Sequence, residues 1–113
     1  MAVFTNNLII YTGTDYDQIF VLANEDSESA LNLTTYTGYA KMKRHGSAST
    51  STSFSVSNTD ATAGKIKIAL SASQTESLTP GRYYYDIVLK NSNGENIRVI
   101  EGEVFVKKSI TRF

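Results

Sequence analysis

The sequence predicts an all-β domain, and three observations predict it. Apolar residues fall in short runs rich in Val, Ile, Tyr, Phe and Thr, the types that pack well on a pleated surface. Clusters of Gly, Asn, Asp and Ser separate the runs, as turns punctuate a β fold. Within the clearest runs apolar and polar side chains alternate with period two, and helical period barely appears. The 113 residues suit one domain, so residues 1–113 are read as a single β-sandwich domain in which 107–113 is a docking tail.

Strands are expected near 2–12, whole or broken at Thr5-Asn6-Asn7, then at 16–23, 36–44, 53–57, 65–71, 82–90 and 97–106, about seven in all. In 36–44, Ala40 and Met42 point inward while Tyr39, Lys41 and Lys43 point outward. Nine of the thirteen residues at 47–59 are Ser or Thr, which reads as a loop running into a short edge strand whose polar side chains discourage unwanted pairing. In 65–71, Ile66, Ile68 and Leu70 face the core and Lys65, Lys67 and Ala69 the solvent, the pattern of a sheet with one wet face. Ser73-Gln74-Thr75-Glu76 suggests one helical turn over 73–78, with Ser73 as its cap and Glu76 closing a capping box; Pro80 forbids a long extension.

The last two strands form the best-defined unit. Tyr83, Tyr85, Ile87 and Leu89 make the inner set of 82–90, alternating with Arg82, Tyr84, Asp86, Val88 and Lys90. Asn93-Gly94 accepts positive φ at both central positions of a two-residue type I′ turn. Counting outward from that turn puts Ile87 opposite Ile100, Tyr85 opposite Gly102 and Tyr83 opposite Val104. On this count Gly102 leaves room for the ring of Tyr85. The same register sets Asp86 against Glu101 and Tyr84 against Glu103 on the outer face, so two carboxylates meet and a cation must neutralise them. If the third strand lies beside the penultimate one, Lys41 and Lys43 flank Asp86 and supply it.

Composition removes several function classes. Eleven Lys and Arg balance eleven Asp and Glu, so there is no net cationic field to hold nucleic acid or anionic lipid. Cysteine is absent and His45 is the one histidine, which excludes disulfides, thiolate metal sites and cysteine chemistry. No run approaches the roughly 18 apolar residues of a membrane span. The short run Leu8-Ile9-Ile10-Tyr11 is no secretory signal, and a soluble protein is expected.

No chemistry emerges from the remaining clusters. Asp15-Tyr16-Asp17 and Glu25-Asp26-Ser27-Glu28 lack the glycine and terminal glutamate of a Ca²⁺ loop and read as solvated turns. Asp86, Glu101 and Glu103 supply the carboxylates a glycosidase needs, but on the flat outside of a sheet. His45 has no second histidine with which to share a metal. No nucleophile elbow or phosphate-cradling glycine loop occurs, and Asn32-Leu33-Thr34 is a chance match to a glycosylation acceptor. No cofactor, no metal and no catalytic residue is expected. Of the seven tyrosines, Tyr83 and Tyr85 are assigned to the core and Tyr84 to an interface.

A longer pattern carries a resemblance. Gln74-Thr75 through Leu78, then Pro80-Gly81-Arg82-Tyr83-Tyr84-Tyr85-Asp86-Ile87, a hairpin, and Arg98-Val99-Ile100-Glu101-Gly102-Glu103-Val104 resemble small virion structural proteins of tailed bacteriophages. Upstream, Gly13-Thr14-Asp15, Leu31-Asn32-Leu33-Thr34 leading to Tyr36, and Gly64-Lys65-Ile66 fit the same pattern. The resemblance implies an immunoglobulin-like antiparallel β-sandwich and a non-enzymatic structural component of the virion, in tail, baseplate, neck or capsid decoration. It implies no catalytic residues. The Ser/Thr loop and the basic tail Lys107–Phe113 depart from it.

The expected partners are other virion proteins and further copies of the chain in a symmetric homo-oligomer, with no nucleic acid and no membrane, in a particle assembled in the host cytoplasm. The outer-face residues Tyr84, Asp86, Glu101 and Glu103, with the termini, are the expected contact surfaces. The alternative is a carbohydrate-binding or host-attachment β-sandwich module, in which exposed tyrosines would meet a glycan; such modules usually present tryptophan, which this chain lacks.

Overall fold

Alternation of period two gives each sheet one apolar face, and two such sheets bury those faces against each other. Among the residues described by the computed structural model (4–22, 33–45 and 50–111), nine strands and one short α-helix do so. The strands are β1 (Phe4–Thr5), β2 (Leu8–Tyr11), β3 (Tyr16–Val21), β4 (Thr37–Lys43), β5 (Thr52–Ser53), β6 (Ser55–Asp60), β7 (Lys65–Leu70), β8 (Gly81–Lys90) and β9 (Asn96–Lys107). Helix α1 (Ala72–Glu76) lies between β7 and β8. The larger sheet runs β9-β8-β4-β5, with β1 and β2 both paired along β9; the smaller runs β3-β7-β6.

This is the immunoglobulin arrangement: the strand after β3 crosses to lie beside the penultimate strand, and β7 returns to pair with β3. The hydroxyl of Tyr83, at the start of β8, donates to the Thr79 carbonyl at 2.7 Å, matching the tyrosine corner of such sandwiches. Pairing is antiparallel except along the outer edge of β9 from Ile100 to Lys107, where β1 and β2 run parallel to it. Among the described residues there are nine strands where about seven are expected, because two segments each divide.

The first division falls at Asn6-Asn7, between β1 and β2. The second falls at Phe54. Before it, β5 pairs with β4 in the larger sheet; after it, β6 pairs with β7 in the smaller. Phe54 is buried at the crossing, its ring edge-on to Tyr85 at 6.4 Å and its N–H donating to the Ala40 carbonyl. The Ser/Thr-rich segment thus edges both sheets, rather than forming one strand at 53–57.

The core contains the inner residues the alternation assigns: Ala40 and Met42 of β4, Ile66, Ile68 and Leu70 of β7, and Tyr83, Tyr85, Ile87 and Leu89 of β8. Burying a side chain of this size contributes roughly 1.5–3 kcal/mol, so one strand slipped by a single residue would forfeit several such terms.

Two local expectations are corrected. The helix starts earlier, over 72–76 with Ser71 as N-cap: the Ser71 hydroxyl accepts from the Gln74 N–H, and the Gln74 side chain accepts from the Ser71 N–H. Asp15 adds a second cap from far along the chain, its carboxylate accepting from the Ala72 N–H at 2.8 Å.

The hairpin differs in its turn. The loop is Ser92-Asn93-Gly94, closed by Asn91 N–H to the Glu95 carbonyl and Gly94 N–H to the Asn91 carbonyl, with Gly94 at φ 85°. A three-residue loop with glycine in the left-handed region is the next commonest hairpin after the two-residue form. It shifts the register by one near the turn, giving Val88↔Arg98 and Leu89↔Ile97. A β-bulge at Val99 then restores Ile87↔Ile100, Tyr85↔Gly102 and Tyr83↔Val104. Gly102 serves a different neighbour from the one the count assigned it: a Cβ there would overlap the Asn6 carbonyl oxygen, and the nearest atoms belong to Asn6 and Asn7 and not to the Tyr85 ring, so the glycine admits the link between β1 and β2.

Candidate interaction surface

The outer face of the larger sheet collects the site residues expected from the sequence. Tyr84 and Asp86 alternate on β8 with the buried Tyr83, Tyr85 and Ile87, so they point out; Glu101 and Glu103 do the same on β9. The register sets Glu103, Tyr84 and Lys43 in one row across β9, β8 and β4, and Glu101, Asp86 and Lys41 in the next. Tyr84 and Glu101 are exposed, while Asp86 and Glu103 are partly covered by neighbours.

The carboxylates are neutralised by arginine. Arg98 bridges the facing pair, with Nε 3.5 Å from Asp86 Oδ2 and Nη1 3.8 Å from Glu101 Oε2. Arg82 reaches Glu103 at 3.9 Å, and its guanidinium lies 5.8 Å from the centre of the Tyr84 ring. Lys41 does stand opposite Asp86, yet among the described residues no carboxylate lies within 4 Å of the Lys41 or Lys43 ammonium group. The expected lysine partners are therefore replaced by two arginines on β8 and β9. As exposed pairs these bridges contribute about 1 kcal/mol or less each; they offset the repulsion between the facing carboxylates.

Arg98 reaches this face because of the bulge. Unbroken alternation from Ile100 would turn Arg98 into the core and Val99 into solvent. With the extra residue, Val99 and Ile100 are both buried and Arg98 faces out. A cation standing immediately before two consecutive apolar residues is the signal in the sequence that could have revealed it.

Two open depressions of about 450 and 430 Å³ flank this arrangement, and Tyr84 and Glu101 line both. Lys41, Lys43 and Arg98 line the first; Thr5, Asn7 and Glu103 line the second. Tyr39, on the outer face of β4, is half exposed.

The other sequence candidates lie elsewhere. His45 is exposed just past β4. Asp15 is engaged as a helix cap. Glu25-Asp26-Ser27-Glu28 and Asn32 lie outside the described residues. In the tail, Lys107 ends β9, and Ser109 is tied to Thr12 by Oγ to the Thr12 carbonyl at 2.6 Å and by its N–H to Thr12 Oγ1 at 3.2 Å. Ile110 projects fully into solvent, and Arg112 and Phe113 lie outside the described residues. Burial raises the hydroxyls of Tyr16 and Tyr85: Tyr16 is pushed up from 10.0 to about 12 by desolvation and then by Asp17, and Tyr85 is raised by desolvation and then by Tyr16.

No family model matches the sequence, and no curated protein does. Among solved structures, the chain is similar to the N-terminal domain of phage TP901-1 ORF48, at a TM-score of 0.57 and 16% identity, over 91% of this chain and 86% of that one. It also matches a Listeria monocytogenes internalin-like protein, lmo2027, at a TM-score of 0.45 and 12% identity, over 95% of this chain and 28% of that one. The first likeness spans nearly the whole of both chains, and it shows that the two share a β-sandwich fold.

Proposed function

We propose that the chain is a non-enzymatic structural component of a tailed-phage virion, acting through protein–protein contacts in a symmetric assembly such as the tail, baseplate, neck or capsid decoration. One observation carries the reading: the sandwich matches a domain of a phage protein over 91% of its own length and 86% of that domain. The phage-like sequence pattern of β8 and β9 supports it from a separate direction. The contact surface in this reading is the outer face with Tyr84, Asp86, Glu101 and Glu103, where an exposed aromatic ring sits among charged side chains. Aromatic and arginine side chains are the usual anchors of protein interfaces, and repetition in a particle lets individually modest contacts hold.

The test is to purify virions that encode the chain, find it by mass spectrometry and place it by electron microscopy. The protein is expected as a stoichiometric particle component, and Tyr84→Ala with Glu101→Ala should reduce its incorporation. Absence from the particle would overturn the reading. Unchanged incorporation of the double variant would move the contact to another surface, and glycan binding by the isolated protein, lost on changing Tyr39 or Tyr84, would favour the attachment-module alternative.

A further inference from the structure

We infer that the outer face of the larger sheet is self-complementary and takes a second copy of this chain, face to face, about a two-fold axis running along β8; this rests on the proposed contact role of the same face. Three columns of outward side chains carry the argument. On one side of β8, β4 presents Tyr39, Lys41 and Lys43. On the other, β9 presents Arg98, Glu101 and Glu103. Turning a second copy over about an axis parallel to β8 keeps the rows and exchanges the sides, as an isologous interface requires.

Each row then meets its chemical complement. Lys43 lies over Glu103 of the second copy and Lys41 over Glu101, at the same heights along the strands. Tyr84 meets Tyr84 at the axis. Tyr39 lies over Arg98 of the second copy, a pairing of aromatic ring and guanidinium. The two Asp86 carboxylates also approach the axis, and each already has Arg98 at 3.5 Å. Among the described residues no carboxylate lies within 4 Å of the Lys41 or Lys43 ammonium group, and the second copy supplies one to each.

The area sets the strength. The three strands that carry these columns, at about 4.8 Å per strand and about 20 Å long, cover roughly 300 Å², well under half of the roughly 800 Å² per partner of a stable complex. The dimer is therefore weak in solution and dominated by screened charge pairs.

The experiment is sedimentation equilibrium of the full chain up to about 1 mM, at ionic strengths where the Debye length falls from about 10 Å to about 3 Å. Wild type should dimerise and dissociate as salt rises. Lys41→Glu with Lys43→Glu, and separately Glu101→Lys with Glu103→Lys, should each weaken self-association by about tenfold or more, and an equimolar mixture of the two reversed proteins should restore a dimer. Circular dichroism and thermal melting of each variant establish that it is folded. A wild type that stays monomeric throughout, reversed variants that dimerise like wild type, or a mixture of folded variants that fails to pair would each overturn the inference. Particle incorporation separates the two readings. A monomer whose reversed variants are still lost from virions leaves the virion role standing with a different partner; a dimer absent from virions removes the virion role and keeps the dimer.

Discussion

The Tyr85 hydroxyl donates a 2.6 Å hydrogen bond to the carbonyl oxygen of Asn6, and Gly102 lies directly under that carbonyl. Asn6 returns its N–H to the Glu101 carbonyl, and the Asn7 side chain accepts from the Glu103 N–H at 3.0 Å. The link between β1 and β2 is thereby fastened to β9 by polar contacts where no ladder exists. Tyr85→Phe removes one of these bonds and should cost about 1 kcal/mol. Gly102→Ala forces the link to move and should cost about 1–3 kcal/mol. Both act through Asn6, so the double variant should cost less than the sum. Denaturant unfolding of the three variants measures this, and additive costs would show that the glycine and the tyrosine act independently.

Helix α1 is capped by Ser71 and by Asp15. Ser71→Ala should destabilise the fold by about 1 kcal/mol, and Asp15→Ala by a similar amount, because each leaves one helix N–H without its acceptor. Ser73→Ala should fall within about 0.5 kcal/mol of wild type. Thermal melts of the three variants rank them, and a larger effect at Ser73 than at Ser71 would return the cap to Ser73.

The contrast between Ser71 and Ser73 shows what the sequence discloses and where it stops. Alternation is a local property, and it correctly orients β4, β7 and β8, whose partners lie on both sides. Tyr84, Asp86, Glu101 and Glu103 reach one face for the same reason. The capping box could be assigned to Ser71 with Gln74 or to Ser73 with Glu76, since both pairs have the required spacing, and the first is the one that accompanies contacts from far along the chain, Asp15 on the Ala72 N–H and Thr75 on the Thr14 carbonyl. The hairpin holds two departures from a simple count, a three-residue loop and a bulge at Val99, that cancel. The outer-face pairs are right, but the count hides Arg98, the cation that makes them tolerable. The sheet switch at Phe54 depends on contacts with two different strands, which no window of sequence contains.

Gly94 gives a prediction with a single cause. Its φ is 85° and a Cβ there would meet nothing within 4 Å, so substitution is penalised by backbone conformation alone. Gly94→Ala should cost about 1–2 kcal/mol, and Gly94→Asn less, because asparagine tolerates the left-handed region. Equal melting temperatures for the glycine and alanine proteins would mean that the loop adopts another turn.

Half-buried Tyr16 and buried Tyr85 set a limit at alkaline pH. Tyr16 is raised from 10.0 to about 12 and Tyr85 is raised as well, in both cases chiefly by desolvation. A raised pKa means that the folded protein holds the phenolic proton more tightly than the unfolded chain, in which tyrosine titrates near 10. The stabilisation is therefore complete below pH 10 and is lost as pH climbs from 10 through about 12 for Tyr16, and over a window opening at the same point for Tyr85. Denaturant midpoints should show no tyrosine-linked slope from pH 7 to 9 and then fall. Tyr16→Phe should flatten that fall without a large loss at neutral pH. Tyr85→Phe should flatten it as well, while lowering stability at neutral pH through the lost bond to Asn6. A slope unchanged in both variants would assign the alkaline transition to groups other than these two tyrosines.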